Sequence, residues 1–214
     1  MSFVYRPTGE QPRLIHHDDQ ILVVDKPAGL LSVPGRGEDR ADCLIARLRA
    51  AFQAVLLVHR LDLDTSGVMV FALTPHAQRH LGQQFERRQV KKSYVARVRG
   101  RLSPASGTVD QPLMVDWPNR PRQMIHPDGR PARTDWRVIR ASDDESRVRL
   151  SPLTGRSHQL RVHMAHLGHP ILGDPLYAEG AAADFPRLML HAETLRLRHP
   201  DSNVTMTFSA EVPF

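Results

Sequence analysis

Two apolar runs joined by a short, largely polar segment constrain this chain more than any other feature. Leu56-Leu57-Val58 and Val68-Met69-Val70-Phe71-Ala72-Leu73 are short and apolar, and both read as strands. Between them lies His59-Arg60-Leu61-Asp62-Leu63-Asp64-Thr65-Ser66-Gly67. This is a loop held between two buried strands. Asp62 has His59 and Arg60 on one side, and Thr65, Ser66 and Gly67, which suit a tight turn, on the other. Such surroundings favour an ionised carboxylate, ready to act as nucleophile or base. The same residues also fit Asp62 and Asp64 as surface turn formers. Residue chemistry alone leaves both readings open.

The rest of the chain supplies elements of both kinds. Residues 1–16, with Pro7, Gly9 and Pro12 spaced through them, read as a weakly ordered or extended arm. Ile21-Leu22-Val23-Val24 reads as a buried strand ending in the turn Lys26-Pro27-Ala28-Gly29. Residues 41–52 carry Ala41, Leu44, Ile45, Leu48 and Phe52 at helical spacing, with Arg47 and Arg49 off the stripe as a solvated face. Thr74-Pro75 starts a second helix, with Thr as N-cap and Pro in the first turn, and Ala77, Leu81 and Phe85 share one of its faces. Residues 93–99 read as a strand that includes Tyr94. Residues 100–133 show little periodicity and fit either a long excursion or short strands with tight turns. Trp136 to Ile139 and Arg147 to Leu150 read as a strand pair around Asp143-Asp144-Glu145. Residues 157–167 read as a helix closed by Gly168. Leu188 to Leu190, Leu195 to Leu197 and Val204 to Phe208 read as closing strands, with Val204, Met206 and Phe208 on the buried face of the last. No repeat or interdomain linker is apparent. The expectation is a 1–16 arm followed by one α+β domain over 17–214, built on a mixed sheet of many strands with a few helices.

Composition narrows the partner. Lys and Arg number 29 against 23 Asp and Glu, a formal net charge of +6, with twelve His in addition. That balance favours a phosphate-rich partner, although many mildly basic proteins bind no nucleic acid. Arg87-Arg88 with Lys91-Lys92, and Arg120 with Arg122, fit phosphate contacts or simply solvated faces. The lone Cys43 excludes an intrachain disulfide and fits a reducing cytoplasm. The N-terminus has no signal-peptide pattern, and no stretch nears the ~20 apolar residues of a membrane span, so a soluble, cytoplasmic protein is expected. His158, His163, His166 and His169 crowd one segment. They have no Cys or carboxylate partners at set spacings, and helical spacing turns them in different directions, so no metal site is expected.

At the His59–Gly67 loop the chain resembles the RluA-type pseudouridine synthases, whose signature is His-Arg-Leu-Asp-x-x-Thr-Ser-Gly. Every fixed position of that signature is met here. Other segments match in the family's order. Asp25-Lys26-Pro27-Ala28-Gly29-Leu30-Leu31-Ser32-Val33-Pro34-Gly35 resembles its first motif, and Lys92-Ser93-Tyr94-Val95-Ala96 its tyrosine motif. Leu153-Thr154-Gly155-Arg156-Ser157-His158-Gln159-Leu160-Arg161-Val162-His163 resembles its third motif, continued by Leu167-Gly168-His169-Pro170-Ile171-Leu172-Gly173-Asp174. The resemblance spans roughly residues 17–214, and ordered motifs are far more specific than any one of them. With 214 residues, the S4-like RNA-binding domain of many relatives is not expected. The short form and Asp116-Trp117-Pro118-Asn119-Arg120-Pro121 look most like the family's dual-specificity branch, which acts on 23S rRNA and a tRNA anticodon stem-loop.

The resemblance implies the pseudouridine synthase fold, with a largely antiparallel sheet flanked by helices and loops. It implies isomerisation of uridine in a folded RNA: the bond from ribose C1′ to uracil N1 breaks and a bond from C1′ to C5 forms. No redox change occurs and no group leaves the RNA, so neither cofactor nor metal is expected. Asp62 falls on the catalytic aspartate, which either attacks the ribose or removes a ribose proton to give a glycal. Arg161 falls on the arginine that pairs with that carboxylate, and Tyr94 on the tyrosine that stacks on uracil and helps remove the C5 proton. A stem-loop uridine must leave its stack to react, and Arg60 is implied to fill the gap or clamp phosphate. His59, Arg156 and His158 are the remaining candidate RNA contacts, and a monomer suffices. Two other readings stand beside this one. One is a catalytically silent RNA-binding or chaperone module on the same fold. The other is a hydrolase using Asp62 and Asp64 as a carboxylate pair, with free uracil as product.

Overall fold

The computed structural model describes residues 4–214, leaving part of the expected N-terminal arm, Met1-Ser2-Phe3, outside the described residues. In chain order the elements are β1 (Arg13–His17), β2 (Ile21–Lys26), α1 (Leu44–Ala51), β3 (Leu56–Leu57), β4 (Ser66–Ala72), α2 (Pro75–Glu86), β5 (Lys91–Arg99), β6 (Ser106–Asp110), β7 (Leu113–Val115), β8 (Gln123–Ile125), β9 (Arg133–Ala141), β10 (Glu145–Pro152), α3 (Gln159–His166), β11 (Leu190–Arg198) and β12 (Thr205–Ser209). The class is α+β, as expected. The backbone falls into two compact units. One is the chain up to Lys91 together with Ala192–Val212, and the other is Lys92–His191 with Pro213–Phe214.

In the first unit, β2 is an inner strand of the sheet. It pairs antiparallel with β1 on one side and with β4 on the other, Val23 opposite Val70 and Asp25 opposite Val68. All seven residues of β4 are buried, so it reads as a continuous apolar run rather than an alternation. Helix α2 starts where its sequence says it must: the Thr74 side chain accepts a bond from the Ala77 amide at 3.1 Å, and Pro75 occupies the first turn. Its Ala77 and Leu81 pack on Ile21, Val23, Val68, Val70 and Ala72. Burying one such leucine contributes about 1.5–3 kcal/mol.

The N-terminal arm is tied down rather than loose. Tyr5 is buried, and its hydroxyl donates to the Asp42 carbonyl at 2.9 Å. Arg47, expected on a solvated face, donates to the carbonyls of Thr8 and Glu10 at 2.7 and 2.8 Å and is held by Asp42. From Val4 onward the arm is thus fastened by Asp42 and by Arg47 of α1, by Gly29, whose carbonyl accepts from the Thr8 amide at 3.3 Å, and by β2, which pairs with β1.

Gly67 has a different role from the turn expected of it. The turn closes earlier, with the Thr65 amide donating to the Asp62 carbonyl at 3.2 Å, and Ser66 and Gly67 already belong to β4. Gly67 holds φ at 118°, and a Cβ there would stand 2.3 Å from the Ala192 carbonyl oxygen of β11. Only glycine lets the two backbones approach this closely. Strand β11 also differs from expectation. It runs unbroken through His191, Glu193 and Thr194, and β12 pairs with it from Thr194, opposite Ser209, to Arg198. On β12, Phe208 is buried and Met206 half-buried, but Val204, expected on the same face, is 59% exposed because it precedes the strand.

In the second unit, strands β5, β10, β9 and β6 are neighbours in that order, all antiparallel. β10 alternates strictly: Ser146, Val148, Leu150 and Pro152 are buried, while Glu145, Arg147, Arg149 and Ser151 face the other way. The buried set joins Ala96, Val98 and Trp136 and the α3 residues Leu160 and Met164 in one core. Val162, on another face of α3, packs on Leu113 and Ala132, so this helix is enclosed on more than one side. The unpatterned stretch 100–133 resolves into short strands, with β7 and β8 a hairpin pairing Met114 with Met124.

Candidate active site

The loop that carries His59, Arg60 and Asp62 belongs to the first unit, and it is fastened on both sides of Asp62. On one side, the Ser32 hydroxyl donates to the Leu61 carbonyl at 2.7 Å and accepts from the Leu61 amide at 3.2 Å. On the other, the Leu63 carbonyl accepts from the Gly29 amide at 3.0 Å and from Lys26 Nζ at 2.9 Å. Lys26 is 0% exposed, and its other two hydrogen bonds run to the carbonyls of Pro27 and Leu30 at 2.9 and 2.7 Å. An ammonium has three protons, and three carbonyl dipoles receive them here. Burying that charge is tolerable only with such partners. Lys26 and Ser32 are therefore positioning residues for the peptide units flanking Asp62. Sequence reading placed both in the first motif without a side-chain role. A lysine ending an apolar strand looks solvated until its burial is known.

Asp62 itself is half-buried and Arg60 exposed. His59 turns inward: its Nε2 accepts from the Val70 amide at 3.1 Å, which leaves the proton of the neutral ring on Nδ1. Its ring stacks on Phe85 with centroids 4.7 Å apart.

Tyr94, Arg156, His158 and Arg161 belong to the second unit. Tyr94 lies on β5 opposite Leu150, on the core side of the sheet. Arg161 is 3% exposed, and its Nε and Nη2 donate to the two oxygens of Asp174, both at 2.7 Å. Asp174 is fully buried. Its Oδ1 also accepts from the amides of Leu176 and Tyr177 at 2.9 and 3.1 Å. One carboxylate thus aims the guanidinium and shapes the turn that brings Tyr177 beneath it, with the Arg161 head 5.2 Å from the Tyr177 ring centre. Burial pushes the Tyr177 hydroxyl up to about 12, so it stays protonated. It accepts from the Gln123 amide at 2.7 Å and lies 2.8 Å from His158 Nδ1. His158 adopts φ 53° at the start of α3, uncommon for a residue with a side chain. Arg156 donates through Nε to the Pro131 carbonyl at 3.1 Å. Asp174 escaped the sequence reading, although it ends the matched segment. The available signal was a lone acid after an apolar stretch, which must find a cation if it is buried.

A directed chain of hydrogen bonds fixes α3 to β9. The Arg133 amide donates to Thr154 Oγ1, whose proton goes to Gln159 Oε1 at 2.7 Å. Gln159 Nε2 donates to Thr134 Oγ1 at 3.0 Å, and that hydroxyl passes its own proton to His163 Nδ1 at 2.9 Å. His163 Nε2 then donates to the Gln111 carbonyl at 3.1 Å. Burial lowers the His163 pKa, in keeping with this neutral ring. Among the described residues, no three His, Cys, Asp or Glu side chains gather as metal ligands.

Lys92, grouped with surface cations in the sequence, is instead largely enclosed and donates to the Thr154 carbonyl at 2.9 Å. Desolvation brings its pKa down from 10.5 to about 8. The unfolded chain therefore binds this proton more tightly, and Lys92 weakens the fold wherever it is charged. Stability should rise with pH between about 8 and 10.5, as the penalty disappears. The urea midpoint of the wild type is expected to climb over that window relative to Lys92→Met. Parallel pH profiles would show the assignment to be wrong.

In the first unit the Asp62 loop is clamped on both sides, and in the second Arg161 is held by a buried acid; comparison with known proteins gives the class. The family model for RNA pseudouridylate synthase matches residues 20–166. The chain belongs to this family of isomerases, which convert uridine in RNA to pseudouridine. It is 53% identical over 204 residues to the dual-specificity RNA pseudouridine synthase RluA of Escherichia coli (strain K12), covering 94% of this chain and 93% of that protein. It is 47% identical to RluA of Pasteurella multocida, covering 97% and 96%. Among solved structures, human RNA pseudouridylate synthase domain containing 1 superposes with a TM-score of 0.80 at 30% identity, covering 98% of this chain and 86% of that one. No helix of the described residues is long and apolar enough to cross a membrane.

Proposed function

We propose that this enzyme isomerises a uridine in a tRNA anticodon stem-loop and one in a 23S rRNA stem-loop, in the cytoplasm, as a monomer whose residues 17–214 act as one catalytic domain. Asp62 is the catalytic carboxylate, Arg161 its cationic partner, and Tyr94 the ring that meets the uracil. Arg60 takes the place of the extruded base or grips phosphate, and His59, Arg156 and His158 border the bound RNA. The observation that carries this reading is the Asp62 loop, which meets every fixed position of the family signature and has both neighbouring carbonyls pinned by Ser32, Gly29 and Lys26. A general base or nucleophile needs such fixed placement, because small displacements cost large factors in rate. The high identity to relatives named for dual specificity supports two RNA classes.

Neither proposed route uses a bound cofactor. The carboxylate attacks ribose C1′ as N1 leaves, or removes the C2′ proton as N1 leaves to give the glycal. The uracil turns, and C5 bonds to C1′ as the ester to Asp62 breaks or as Asp62 returns the C2′ proton, while N1 takes up a proton. The C5 proton then leaves, with the Tyr94 hydroxyl placed to assist. Mapping pseudouridines in total RNA from a strain lacking the gene tests the substrate. Loss of one site in an anticodon stem-loop and one in 23S rRNA is expected. Loss at only one unrelated site would overturn the dual assignment.

A further inference from the structure

Like charges set directly opposite each other on neighbouring strands are destabilising, so sheets usually avoid them. The second unit does the reverse. Arg147 of β10 stands opposite Arg97 of β5 on one side and opposite Arg140 of β9 on the other. Along the same strand, Arg149 stands opposite Arg137. The alternation of β10 puts Arg147 and Arg149 on the face turned away from Val148 and Leu150, and therefore opposite to Tyr94. The carboxylates on this face are spoken for: Glu145 holds Arg97 at 2.6 Å, and Asp110 and Asp135 lie 4.0 and 3.6 Å from Arg133. Arg147 donates to the terminal carboxylate of Phe214, so it too has a negative partner. Arg137 and Arg140 are exposed, and among the described residues no carboxylate lies within 4.0 Å of either. A cavity of about 330 Å³ opens between Arg97, Arg140, Arg147 and Ser142. A water's share of liquid volume is about 30 Å³, so a phosphate group has ample room there.

Threonine, glutamate or lysine would all suit these exposed strand positions, and mixing signs would remove the repulsion. Arginines in a row across three strands cost the free protein stability, and a polyanion laid over them cancels that cost. Arg97 and Arg147 are also preset, by Glu145 and by the rings of Phe185 and Phe214 at 5.4 and 5.8 Å. We propose that this sheet face is a second RNA-contact surface, binding backbone phosphates of the substrate on the side of the sheet opposite Tyr94. The inference rests on the assignment of RNA as substrate.

The test uses the full chain, an unmodified tRNA transcript and, separately, inorganic phosphate. Arg137→Gln/Arg140→Gln is expected to weaken transcript binding about tenfold at low salt and to reduce the slope of log K against log[salt] by about 1.5, the loss of two phosphate contacts. The free variant should melt at the same temperature as wild type or higher, since repulsion is relieved. Arg137→Lys/Arg140→Lys should retain most of the slope. Unchanged affinity and slope, or a lowered melting temperature with an unchanged slope, would overturn the proposal. So would calorimetric binding of millimolar phosphate that the variant loses while its RNA affinity stays intact, which would assign the face to free phosphate. Wild-type conversion of uridine in the same preparation is scored separately. Its absence would sink the synthase reading, whereas a silent arginine face beside normal turnover would sink only this one.

Discussion

Replacing Asp62 with Asn is expected to lower turnover about 10⁴-fold or more, while the protein still folds and still binds RNA. The substitution keeps the side chain's size and removes only its charge and basicity. The loop itself is held by Ser32, Gly29 and Lys26 through backbone carbonyls and an amide, none of them belonging to the Asp62 side chain. Release of tritium from RNA labelled at uracil C5 measures the reaction, and sub-stoichiometric wild-type protein should convert an excess of RNA. Clear turnover by Asp62→Asn would refute the assignment. Failure of the wild type to turn over would favour a silent RNA-binding module, and free uracil among the products would favour a hydrolase using Asp62 and Asp64.

Asp174→Asn should be the most damaging single change to the fold among the polar residues described above. It leaves the Arg161 guanidinium buried at 3% exposure without the carboxylate that takes two of its hydrogen bonds. Breaking a buried pair from one side costs about 3–5 kcal/mol. For a chain of this size each kcal/mol is worth roughly 2–4 °C, so melting should fall by about 10 °C. The double variant Arg161→Met/Asp174→Asn should regain much of that stability, because Met leaves no buried charge stranded and the Asn oxygen can still accept from the Leu176 and Tyr177 amides. It should not regain turnover, since Arg161 is assigned to the carboxylate chemistry. Thermal melts and tritium release on the three proteins separate the two effects. A double variant as unstable as Asp174→Asn would show that the pair's charge is not what holds this turn.

The identity of the family was legible in the residues, because its signature is a particular local order of side chains. His59 to Gly67 spells that order within one loop, and no long-range information is needed to read it. The helices were legible for a similar reason. Thr74-Pro75 caps α2 locally, and Leu160 with Met164 marks the core side of α3 through spacing alone. Strand limits were less so. β11 runs on through His191 and Glu193, and nothing within it announces the β12 partner of Thr194 to Arg198.

Partnerships across distance were decided only by the fold. Lys26, Ser32 and Asp174 each sit in a recognised segment, yet their roles appear only when burial and partners are known, since a lysine or an aspartate is solvated by default. Gly67 reads as a turn residue and proves to be a point of backbone contact with Ala192. The arginine row is the clearest case. Arg97, Arg140 and Arg147 are scattered singly along the chain, and antiparallel register alone makes them neighbours. Sequence determines which chemistry a segment can perform, because local spacing and side-chain type suffice for that. Which charges face each other, and which are hidden from water, depends on strand register and burial, and those exist only once the chain has folded.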